Sequence, residues 1–79
     1  MPQEKIDLLR LQKPIRDEMN DLLRALNAAS TREDIEAERA IQIESIQALQ
    51  NTKRLRPADA EALFIIFDDA AEAKLENLP

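Results

Sequence analysis

The side chains with the most chemical potential are the carboxylates near the end of the chain: Asp68, Asp69, Glu72 and Glu76. On a helix, Asp68, Glu72 and Glu76 fall four residues apart and line one face. Carboxylates in that pattern suggest three kinds of chemistry: holding a metal ion, sharing a proton as an acid–base pair, or presenting negative charge to a basic partner. A di-iron helical site combines inward glutamates with Glu-x-x-His motifs, and this chain has no histidine. A calcium loop sets oxygen ligands at alternate positions around a glycine turn, and the chain has no glycine. No metal and no cofactor is therefore expected. Acid–base work needs a carboxyl shifted by burial, and nothing in the spacing asks for one. The plain reading is a solvated acidic face. Like charges at four-residue spacing are mildly destabilising, so a helix that keeps them has them free for a basic partner. Small acidic proteins can also occupy nucleic-acid sites by placing carboxylates where phosphates would sit.

Other chemistry has less to stand on. The serines are Ser30 and Ser45, with no histidine to activate either. There is no cysteine, so no disulfide framework and no thiolate metal site. An enzyme is not expected. Lys53, Arg54 and Arg56, joined by Arg10, Lys13 and Arg16, form a candidate basic contact. No aromatic residue interleaves them to stack bases, and cations near a helix end are commonly there for the helix dipole.

The charge is unevenly placed. The net charge is −5, from 11 basic and 16 acidic side chains. Up to Arg56 the two signs balance. After it come Asp59, Glu61, Asp68, Asp69, Glu72 and Glu76 against Lys74 alone. Direct nucleic-acid binding normally needs a basic surface and is not expected. There is no apolar run long enough to span a membrane and no hydrophobic leader with a small-residue cleavage site, so the expected location is cytoplasmic.

The elements that position these residues are helices. The chain has no glycine for primed hairpin turns, and helix-forming alanine and leucine dominate. Residues 3–12 read as a short amphipathic helix, interrupted by Pro14. From Pro14 onward, Ile15, Met19, Leu22, Leu26 and Ala29 repeat at four and three residues, the seam of a helix packed on a partner. Leu8 extends the seam backwards and Leu23 widens it. Ser30 or Thr31 caps the next helix, and Ser30-Thr31-Arg32-Glu33 fits a capping box. That central helix is expected over about residues 32–55, with acids crowding its start and Lys53, Arg54 and Arg56 at its end. It is apolar on two sides: Ile35, Ile43, Ile46 and Leu49 on one, Ala37, Ile41, Ala48 and Leu55 on nearly the opposite one. Two stripes imply two neighbours, so this helix is expected to lie between the other two or between them and a second subunit. Pro57 opens the last helix at its first turn. There Ala60, Phe64, Phe67, Ala71, Leu75 and Leu78 merge with Leu63, Ile66, Ala70 and Ala73 into a wide apolar face, and Ile65 points away from it.

Residues 55–75 carry a further signal: a helix ending near Arg54-Leu55, an acid-rich start at Asp59-Ala60-Glu61, then Ala62, Phe64, Asp69, Ala73 and Leu75 in register. This stretch resembles the C-terminal half of the Hha/YmoA family, small helical proteins that bind the nucleoid protein H-NS and modulate silencing. The resemblance implies a transcription modulator acting through a DNA-binding partner, with Asp69 as the residue to watch. It covers about a quarter of the chain. That family is richer in aromatic residues and basic in places, whereas this chain has two Phe and an acidic last helix.

The expected fold is all-α, one domain over residues 1–79: a bundle of three main helices with a short extra helix before Pro14, dimeric. A core this small usually needs a disulfide, a metal or self-association, and self-association or a larger partner is what remains. The expected function is a non-enzymatic protein–protein interaction module: a small regulator, adaptor or inhibitor of the kind phages and mobile elements carry. It would bind another protein through Phe64 and Ile65, framed by Asp68, Asp69, Glu72 and Glu76. A structural subunit of a larger assembly is the third reading.

Overall fold

The helix boundaries follow from prolines and from two residues that stand where glycine is usual. The computed structural model describes residues 2–78. Among them the chain is all-helical, with four helices and no strand: α1 (Pro2–Leu8), α2 (Lys13–Ala28), α3 (Arg32–Asn51) and α4 (Pro57–Glu76). Pro14 thus separates two helices and does not kink one. Helix α1 is shorter than expected because the chain turns after it: Leu9 N–H donates to Ile6 O and Arg10 N–H to Asp7 O, with Arg10 at φ 53. Gln12, at φ −57 and ψ 146, is the extended residue before α2. Lys13 already belongs to the helix, with Pro14 in its first turn.

Thr31 is the cap of α3, and its side chain accepts from the Asp34 N–H at 3.1 Å. The Ser30–Glu33 capping box does not form, because the cap sits one residue later. Helix α3 ends at Asn51 and not near Leu55. Lys53 N–H donates to Gln50 O at 3.0 Å and Arg54 N–H to Leu49 O at 2.9 Å, which is a Schellman closure. Its left-handed position is filled by Lys53 at φ 61. The reversal changes two expectations. Lys53, Arg54 and Arg56 lie in the connection beyond the helix, whose own last turn has no basic residue. Leu55 leaves the outer stripe and is buried in the core.

The molecule measures 39 × 22 × 18 Å, its long dimension set by α3 and α4 at roughly 1.5 Å per residue. These two run antiparallel and share the most extensive helix–helix interface. Ile6 of α1, Ile15, Met19 and Leu23 of α2, Ile46 and Leu49 of α3, and Leu63 and Phe67 of α4 form the larger core. Leu26, Ala29, Ile35, Ala70 and Ala71 close the other end. There Lys74 reaches across to donate to Asn27 O at 3.0 Å, supplying a cation to the C-terminus of α2.

Three seam assignments shift. Leu8 is 79% exposed and Ile6 is buried in its place, because α1 is a separate helix and the period does not carry across the break. Leu23 is buried where Leu22 is only half-buried. Helix α3 is buried along one arc, through Ile35, Gln42, Ile46 and Leu49. Helices α2 and α4 both pack on that arc, so α3 does not lie between those two. Ala37, Ile41 and Ala48 face solvent, with Ile41 47% exposed, and so does Ile43.

Candidate functional site

A groove of about 480 Å³ runs between α3 and α4. From α3 it takes Arg39, Gln42, Ile43 and Ile46, at the three- and four-residue spacings that put side chains on one helix edge. From α4 it takes Phe64, Ile65, Phe67, Asp68 and Asp69. Ile46 and Phe67 belong to the core and form its base, and Phe64 is half-buried against them. Ile43 (46% exposed) and Ile65 (55% exposed) stand at its rim.

Arg39 spans the groove's charged end. Its Nη2 lies 2.6 Å from Asp68 Oδ1 and its Nη1 lies 3.0 Å from Glu72 Oε1, with Glu36 Oε1 at 3.8 Å. The Glu72 hydrogen bond, helped by Asp68 and Glu36, holds the guanidinium above the ordinary arginine value against the opposing effect of burial. The bridge ties α3 to α4 and engages two of the four candidate acids. Asp69 and Glu76 are exposed, and neither takes part in an ion pair among the described residues. The structure therefore brings Phe64, Ile65, Asp68 and Asp69 to one groove, sets Glu72 beside it, and leaves Glu76 a turn further on.

Sequence reasoning missed Arg39 and Gln42. Arg39 was legible as the one base in the acid-rich first half of α3 after Arg32. Gln42 was legible from its register: it lies seven residues after Ile35, four before Ile46 and seven before Leu49, in the buried arc itself. It is 2% exposed, and its Nε2 has no hydrogen-bond partner.

The basic candidates lie elsewhere. Lys53, Arg54 and Arg56 meet Arg10 around a second hollow of about 840 Å³, where the α1–α2 and α3–α4 connections come together. Arg56 Nε is paired with Asp59 Oδ2 at 3.0 Å. On α2, a hydrogen bond from Lys13 holds the Asp17 carboxyl below the ordinary aspartate value, and neither residue lines a hollow. Among the described residues no group of three or more His, Cys, Asp or Glu is placed to hold a metal ion. No helix among them is long and apolar enough to cross a membrane. Comparison with family models, with curated proteins and with solved structures finds no match for this chain.

Proposed function

We propose that this is a cytoplasmic, non-enzymatic protein–protein interaction module, a regulator, adaptor or inhibitor that docks another protein on the α3–α4 groove. The observation that carries the reading is the pairing of exposed Ile43 and Ile65 with half-buried Phe64 and the apolar base of Ile46 and Phe67, inside a frame of charged side chains. An apolar helix groove with a polar rim is a common mode of protein recognition. Ile65 is surrounded on its face of α4 by Glu61, Asp68, Asp69 and Glu72, which keeps an exposed isoleucine soluble until a partner covers it.

The test is affinity capture from the cells that make the protein, with wild type against Ile65→Asp. A discrete partner retained by wild type and lost from the variant supports the reading. An identical set of partners on both sinks it. Self-association belongs to a different surface, the outer stripe of Ala37, Ile41 and Ala48 on α3. Light scattering should give a dimer mass for wild type and a monomer mass for Ile41→Asp.

A second reading, a modulator that works beside nucleic acid, draws on the gathering of Arg10, Lys53, Arg54 and Arg56 around one hollow. Fluorescence anisotropy with duplex DNA at low salt tests its direct form, and flat titrations remove it.

A further inference from the structure

We infer that the segment seated in the α3–α4 groove is a basic amphipathic helix whose apolar stripe is broken by one carboxamide side chain, set against Gln42. The inference rests on the interaction-module reading and names the chemistry of its partner.

Two independent observations point to this occupant. The first is Gln42. A buried carboxamide with an unpartnered Nε2 is costly, and the residue lines the groove. Its last torsion is soft, so a small rotation offers the amide to whatever fills the groove. Turning the carboxamide end for end leaves the same requirement with its oxygen. A partner group that both donates and accepts meets either case, and Asn or Gln does so on a helix stripe. A single polar residue inside an apolar helix seam is also the device that fixes register between packed helices. The second observation is charge. On the α4 side the groove is flanked by Glu61, Asp68, Asp69 and Glu72, and Arg39 is already engaged by Asp68 and Glu72. The free charge along this side is negative. A second copy of the chain would bring the same acidic α4 face to it, so like charges would meet. A lysine- or arginine-flanked helix meets opposite charge instead.

The test uses fluorescence anisotropy with labelled peptides of about 16 residues, roughly four helical turns, sharing one leucine stripe. One has lysine flanks, one has glutamate flanks, and one has lysine flanks with a central glutamine on the stripe. The lysine peptides should bind at least about tenfold more tightly than the glutamate peptide at low salt, and the gap should shrink as salt rises. Ile65→Asp and, separately, Ile43→Asp should abolish binding while leaving the helical circular dichroism signal intact. Wild type should prefer the glutamine peptide and Gln42→Leu the all-leucine one, a combined swing of roughly tenfold. Equal binding of lysine and glutamate peptides, lost in Ile65→Asp, overturns the basic partner and keeps the interaction module. Binding that survives both aspartate variants overturns the groove as the site, and with it the parent reading. A concentration-dependent doubling of mass that Ile65→Asp removes makes a second copy the occupant and overturns the inference.

Discussion

The two hollows of this molecule differ in almost every respect except that both lie along the α3–α4 pair. The larger one gathers its cations on loops: Arg10, Lys53, Arg54 and Arg56 are held there by two connections, beside the ends of α2, α3 and α4. The residues at the left-handed turns, Arg10 and Lys53, are themselves two of its cations. The smaller one is made by helices, with an apolar base, one ion-paired arginine bridge and one unpartnered buried amide. A site on regular helices holds its side chains in fixed register, whereas a loop hollow holds them only as firmly as its turns. The acids from Asp68 to Glu76 and the bases Lys53, Arg54 and Arg56, which sequence places twelve or more residues apart, end up at different parts of the molecule, while Asp59 lines the basic hollow and pairs with Arg56.

Four changes would break or sharpen that contrast. The largest effect is expected from Leu63→Ala, which opens a cavity in the larger core. It should cost about 2–5 kcal/mol, read as a fall in Tm of roughly 4–8 °C per kcal/mol for a domain of this size. A loss under about 1 kcal/mol would mean that this end of the core is not close-packed. Next comes Gln42→Leu, which should stabilise the isolated protein by about 1–3 kcal/mol by removing an unpaired buried amide. A destabilised variant in a denaturant titration would show that Gln42 has a partner within the folded chain.

Arg39→Ala should cost about 1 kcal/mol, the scale of a partly exposed ion-pair network. Its sign with pH is fixed by the raised guanidinium. A group held above its ordinary value contributes fully below that value and is lost only as pH climbs through the folded one. The difference between wild type and Arg39→Ala should therefore not fade on the alkaline side of neutrality, short of strongly basic solution. It should shrink with added salt, and a salt-independent difference would count against an ion pair as its source. The smallest effect belongs to the loop end. Lys53→Gly should leave stability unchanged or raise it by about 0.5–1 kcal/mol, since glycine takes the left-handed position without strain but frees the unfolded chain. A clear loss would mean that the lysine side chain itself holds the turn.

How much was legible in the sequence differs by level. The all-helical class followed from missing glycine and abundant alanine and leucine, because those choices act residue by residue. The starts of α2 and α4 followed from Pro14 and Pro57, because proline acts on its own φ and its own N–H. The exposure of Ile65 followed from the helical period. The end of α3 did not follow, because no glycine marks it: Lys53 adopts the conformation a glycine would, and only the hydrogen bonds to Leu49 and Gln50 reveal it.

What the chain determined alone was local: helix against strand, where helices begin, which faces are apolar, and that the surplus negative charge sits on the last helix. What tertiary structure decided was which apolar face of each helix is used. Period places Ile41 and Ile46 on opposite stripes of α3 with equal claim, and only the arrival of α2 and α4 on the same side buries one and leaves the other to solvent. The same packing joined Arg39 to Asp68 and Glu72 and sealed Gln42 without a partner. Those are contacts between residues up to 33 positions apart, and pairing at that range depends on how helices are set against one another, which a one-dimensional period does not contain.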